Sequence, residues 1–95
     1  MELEEIQRII KTVVKDYLEA QDNYLDITNE TVLFGDNTVL DSIGLVNIVI
    51  DLESTFLDKG YEISLTSNVA MSRRQSPFRN VATLADFIYE QLNEQ

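Results

Sequence analysis

Apolar residues recur at helical spacing in three segments of this 95-residue chain, and this periodicity is the feature that most restricts its fold. The segments predict helices over residues 3–19, 42–57 and 81–92. A shorter helix is expected through residues 69–71. No alternating pattern longer than four residues competes with these helices. We therefore expect an all-α fold, a small four-helix bundle with three main helices and one short third helix, as a single domain over residues 1–95.

The predicted second helix carries more apolar surface than one packing contact requires. Its core face is assigned to Leu45, Ile48, Val49, Leu52 and Phe56. Ile43, Val46 and Ile50 form a second apolar face. Because a surface helix needs only one apolar stripe, we expect this second face to be exposed and available for binding.

The residue types present exclude several kinds of site. The chain has no cysteine and no histidine, which excludes disulfides, thiolate zinc sites and imidazole catalysis. No segment follows the spacing of a calcium-binding loop, so no metal site is expected. No apolar run is long enough for a membrane span, and the acidic start is unlike a signal peptide. We expect a cytoplasmic protein without membrane insertion.

The negative charge of the chain is concentrated in its middle. The net charge is −10, and residues 16–62 hold eleven acidic residues but only one base, Lys59. Such a field repels nucleic-acid phosphates and attracts basic protein surfaces. We therefore expect protein partners and no nucleic-acid binding.

Ser42 stands where a long polar connection, residues 20–41, becomes a strongly apolar helix. Asp41 is the predicted N-cap of this helix, and Lys59-Gly60 is its predicted stop signal. A helix N-terminus favours attached negative charge, so a serine here is suited to carry a phosphodiester-linked group. Asp-Ser at a helix start is also a common capping arrangement, and the dipeptide alone does not decide between the two roles.

The wider context of Ser42 resembles a known family. Residues 40–46, Leu-Asp-Ser-Ile-Gly-Leu-Val, look like the attachment motif of the acyl carrier proteins, members of the phosphopantetheine-carrier family. Residues 80–88, Asn-Val-Ala-Thr-Leu-Ala-Asp-Phe-Ile, are similar to the Thr-Val-x-x-Leu-x-x-Tyr-Ile pattern of their last helix. The resemblance covers nearly all of the chain. It implies an acyl-carrier-like bundle that is not an enzyme.

By this resemblance, Ser42 would bear a covalent 4′-phosphopantetheine, and Asp41 would be the acidic neighbour read by a phosphopantetheinyl transferase. The positions that match partner contacts in the family are Ile43, Val46, Ile50 and Glu53. A space for the acyl chain would be lined by Phe34, Val49 and Leu52, for which ordinary core packing is the alternative. The carrier, expected to be a monomer, would present thioester-bound acyl groups to acyl-transferring and synthase enzymes with basic docking surfaces. Its pathway would be fatty-acid, polyketide or related lipid biosynthesis.

The chain departs from common fatty-acid carriers around the motif. Residues 37–43 read Asn-Thr-Val-Leu-Asp-Ser-Ile where those carriers have Asp-Leu-Gly-x-Asp-Ser-Leu. Asn47 and Ser54 stand at usually acidic positions, and the basic loop of residues 72–79 looks like an insertion. These differences favour a specialised stand-alone carrier.

The basic loop has two possible roles. It is either a solvated connection or a selectivity element that lies near the acidic middle of the chain. The bases concerned are Arg73, Arg74 and Arg79, and their candidate neighbours are Asp36, Asp41 and Glu62.

Two other functions remain open. An aminoacyl or peptidyl carrier would use the same serine. An acidic helical adaptor would have no prosthetic group, with Ser42 as part of a helix cap and the second apolar face of the helix as a binding patch.

Overall fold

The computed structural model describes residues 1–33, 40–65 and 78–93, with residue 42 described by its backbone. The helices in this part of the chain are α1, Leu3–Glu19, α2, Ser42–Asp58, and α3, Val81–Asn93. The three predicted main helices are confirmed, and each observed end lies within one residue of its prediction. No strand occurs among the described residues, so the protein is all-helical there. The predicted short helix through residues 69–71 lies outside the described residues.

The first helix is the centre of the packing, because α1 contacts both α2 and α3. Its buried stripe is Ile6, Ile10, Val14 and Leu18, at the i, i+4 spacing of one helix face. The connecting segments contribute further core residues, namely Leu33, Leu40, Ile63, Leu65 and Phe78. Leu33 and Leu40 therefore anchor the long connection to the core on either side of residues 34–39.

The C-terminus of α2 is closed as the sequence predicts. Gly60 adopts a positive φ of 90°, which glycine reaches without the steric cost that a Cβ imposes. The Gly60 N–H donates to the Leu57 carbonyl at 2.9 Å, and the Tyr61 N–H donates to the Phe56 carbonyl at 2.9 Å. This is the Schellman pattern, in which two carbonyls at the helix end find donors.

The N-terminus of α3 is capped by side chain and backbone together. Asn80 and Thr83 cap it reciprocally, with the Thr83 N–H donating to Asn80 Oδ1 at 2.8 Å and the Asn80 N–H donating to Thr83 Oγ1 at 3.1 Å. Another backbone donor in the first turn of α3 is satisfied by the long connection, because the Ala82 N–H donates to the Asn29 carbonyl at 2.8 Å. A single antiparallel bridge between Val32 and Asn80 continues this contact. The connection is thus fixed to the start of α3 by backbone hydrogen bonds.

Candidate functional site

The start of α2 is built around the Asp41 side chain. Asp41 is extended, with φ −84° and ψ 178°, and its carboxylate accepts a hydrogen bond from the Gly44 N–H at 2.6 Å. Its carbonyl accepts the first helical bond, from Leu45 N–H, at 2.9 Å. Asp41 is therefore the N-cap, as predicted, and Ser42 is the first residue of the helix.

Backbone donors at the start of α2 lie next to Ser42. The first N–H groups of a helix have no partner within the helix, and Asp41 takes only the one from Gly44. The Ile43 N–H makes no hydrogen bond within the described residues, so it adds to the positive end of the helix dipole. The helix dipole would favour a phosphodiester bound through Ser42, whereas the neighbouring Asp41 carboxylate would oppose it.

Gly44 lies in a close contact between α1 and α2. A Cβ at this position would stand 3.0 Å from Asp41 Oδ1, 3.1 Å from Tyr17 Cε2 and 3.2 Å from the Tyr17 hydroxyl oxygen. The absence of a side chain at Gly44 thus lets the half-buried Tyr17 ring pack directly on the helix start. This contact fixes the first turn of α2, and Asp41 with it, against α1.

We expect Gly44→Ala to cost more stability when Tyr17 is present than when it is absent. Alanine gains about 1 kcal/mol of helix propensity over glycine, but here the new methyl group displaces the Tyr17 ring and the capping carboxylate. In a Tyr17→Ala background the same change should become less costly or stabilising, with a coupling energy of about 0.5–1.5 kcal/mol. Urea unfolding of the four proteins in this cycle measures the coupling. An equal effect of Gly44→Ala in both backgrounds would show that Tyr17 does not restrict this position.

The predicted second apolar face of α2 is exposed. Ile43, Val46 and Ile50 are 73%, 56% and 54% exposed, whereas the assigned core residues of α2 are all buried. Leu57 is 63% exposed and continues the stripe, although the sequence analysis assigned it no role. Its spacing of seven residues from Ile50, two helical turns, was the available signal. These four residues, the α2 stripe, extend about 21 Å along the helix.

The charge around the α2 stripe is negative. Asp41, Asp51 and Asp58 are exposed, and α2 contains no basic residue. The Glu53 side chain contacts another segment of the chain, because its Oε2 accepts a hydrogen bond from the Leu65 N–H at 2.7 Å. Glu53 therefore holds the segment after α2 in place, and its role as a partner contact stays a prediction.

The remaining sequence predictions concern the acyl space and the basic loop. Val49 and Leu52 are buried in the core, and Phe34 lies outside the described residues. Arg79 is exposed and forms no ion pair within the described part of the chain, including with Asp41. Arg73, Arg74 and Asp36 lie outside the described residues, so the proposed neighbourhood of the loop stays a hypothesis.

Within residues 1–33, 40–65 and 78–93, no group of three or more potential metal-ligating side chains is arranged to hold an ion. None of the helices there has both the length and the apolarity that a membrane span requires. Comparison with protein-family models, curated proteins and solved structures found no match.

Proposed function

We propose that the chain is an acyl carrier protein, with 4′-phosphopantetheine attached to Ser42. The observation that carries this proposal is the architecture of α2. A capped helix start at Asp41 and Ser42 is followed at once by an exposed apolar stripe that begins at Ile43. The attachment point and a recognition surface are then parts of one rigid helix.

The residues of this chain would bind and orient, while partner enzymes supply catalysis. When bound, the prosthetic group would supply a thiol that carries acyl groups as thioesters. Asp41 would hold the first turn of α2 through Gly44 and present a carboxylate to the phosphopantetheinyl transferase. The α2 stripe would contact the apolar part of a partner surface, and the surrounding acids would attract its basic rim.

We further propose that the protein is a monomeric, cytoplasmic single domain with an acyl-carrier-like bundle. The short helix expected near residues 69–71 would complete that bundle. Its partners are a phosphopantetheinyl transferase and acyl-transferring or synthase enzymes with basic docking surfaces. A flexible arm keeps the cargo at high effective concentration for such enzymes.

Incubation with coenzyme A and a broad-specificity phosphopantetheinyl transferase tests the proposal. Intact mass spectrometry should show the gain of one phosphopantetheine group. An unchanged mass under conditions that modify a known carrier would favour the adaptor alternative, in which the α2 stripe binds a partner without any arm. Once the arm is attached, loading with fatty-acyl or with aminoacyl groups distinguishes an acyl carrier from an aminoacyl or peptidyl carrier.

The two roles of Asp41 can be separated by substitution. Asparagine caps a helix about as well as aspartate, so Asp41→Asn should keep the stability of α2 while removing the charge. Asp41→Ala removes both and should cost about 1 kcal/mol in urea unfolding. If the transferase reads the carboxylate, both variants are modified more slowly than the unchanged protein. A normal rate for Asp41→Asn would show that Asp41 acts only as a cap.

A further inference from the structure

A second surface lies between α1 and the segment that follows it, in an open groove of about 490 Å³. One wall is basic and comes from α1, with Arg8, Lys11 and Lys15. The other wall includes the apolar side chains of Leu25 and Ile27. Leu25 is exposed there, in contrast to the buried leucines of the core. We call this surface the α1 groove.

Two of the three bases of the α1 groove have no ion pair within residues 1–33, 40–65 and 78–93. This is notable because the chain has 17 acidic and only 7 basic residues. Lys15 lies 3.9 Å from the Glu19 carboxylate. Arg8 and Lys11 form no ion pair within the described residues. Asp26 also lines the groove but does not pair with either of them. Neither base has an ionic partner in the part of the chain that the structure describes, so both can pair with an external carboxylate.

The α1 groove is separate from the proposed attachment site. Helical geometry of about 100° per residue puts its three bases on nearly the opposite side of α1 from Val13 and Tyr17. Val13 and Tyr17 belong to the side of α1 that faces Asp51 and Thr55 of α2. A partner in the α1 groove would therefore leave the α2 stripe accessible.

We infer that the α1 groove binds a short acidic segment of a partner protein that also carries an apolar side chain. Carboxylates of the segment would pair with Arg8 and Lys11, and its apolar side chain would cover Leu25 and Ile27. Residues 8–15 rise about 10.5 Å along the helix, which matches about three residues of extended chain. The exposed Tyr24, next to Leu25, offers a further contact for such a segment.

The net charge of −10 favours a narrow acidic ligand over an extended one. An anionic membrane or a nucleic acid would bring the acidic remainder of the protein close to a surface of the same sign. A short peptide meets only the groove, and charges beyond about 8 Å are largely screened at physiological salt. The binding surface for a polypeptide segment is therefore compatible with the acidity of the whole chain.

Fluorescence anisotropy with a labelled acidic peptide, Asp-Glu-Leu-Glu-Glu-Leu-Asp-Glu, tests this inference on the full chain. The double variant Arg8→Gln, Lys11→Gln should bind it at least about fivefold more weakly at low salt. The matched control Lys59→Gln, Arg79→Gln also removes two positive charges, both exposed, and should bind within about twofold of the unchanged protein. Lys15 is left intact in both, so its ion pair with Glu19 is kept.

Amide chemical shifts locate the peptide independently of affinity. Changes confined to α1 and residues 24–28 support the α1 groove, whereas changes on α2 overturn it. The inference is also overturned if peptide binding is weakened equally in both double variants, or if the unchanged protein does not bind the peptide. Equal binding of a peptide with lysine in place of each acid would overturn it as well. Binding to phosphatidylglycerol vesicles without peptide binding would assign the surface to membranes instead. None of these results depends on modification of Ser42, so the two proposals can fail separately.

Discussion

Ser42→Ala is expected to abolish the gain of phosphopantetheine while leaving the helical fold intact. The phosphodiester must form on a side-chain oxygen, which alanine lacks. Alanine is the best helix former, so it is well tolerated at the first residue of α2. Intact mass measures the modification, and circular dichroism with urea unfolding measures the fold.

Ser54→Ala is the matched control for this experiment. Ser54 is exposed on the same helix, twelve residues after Ser42, and lacks the capped helix start that precedes Ser42. The Ser54→Ala variant should therefore gain phosphopantetheine as fully as the unchanged protein. Modification that persists in Ser42→Ala, or that disappears in Ser54→Ala, would contradict the assignment of the attachment site.

The helix ends were predictable because their signals are local in the sequence. Asp41 caps the turn that follows it, and Gly60 supplies the positive φ that ends the same helix. The burial of Leu52 and the exposure of Ile50 follow from helical periodicity, because only one side of α2 packs against the core. Such features depend on a few adjacent residues, so a single sequence contains them.

The contacts that the sequence analysis missed join residues far apart in the chain. Glu53 reaches the backbone of Leu65, and Tyr17 packs on Gly44 from another helix. Periodicity assigns a residue to a face, but it does not say which side chain of another element lies opposite. Glu53 shows the consequence, because its position beside the exposed face predicts a partner contact, whereas one of its carboxylate oxygens has a structural role.

Leu52→Ala is expected to destabilise the protein by about 2–5 kcal/mol, because a fully buried leucine loses its transfer energy and leaves a cavity. Ile50→Ala removes an aliphatic side chain two residues away on the same helix, but that side chain is exposed. It should change stability by about 0.5 kcal/mol or less. Urea unfolding separates the two, with a lower midpoint and an unchanged slope for Leu52→Ala.

Turnover of the carrier by a partner enzyme should be affected more by the loss of an exposed residue of the α2 stripe than its stability is. With the arm attached, Ile50→Ala should lower kcat/KM for an enzyme that uses the carrier by about fivefold or more, since truncation of a central apolar contact costs about 1 kcal/mol or more.

Leu57→Ala, at the far end of the α2 stripe, is the matched variant that tests how far the partner surface extends from Ser42. A partner whose contact ends near Ile50 is insensitive to Leu57→Ala, whereas one that covers the whole helix loses turnover with both. Equal loss of stability in Ile50→Ala and Leu52→Ala would instead place Ile50 in the core and remove the basis for a docking face on α2.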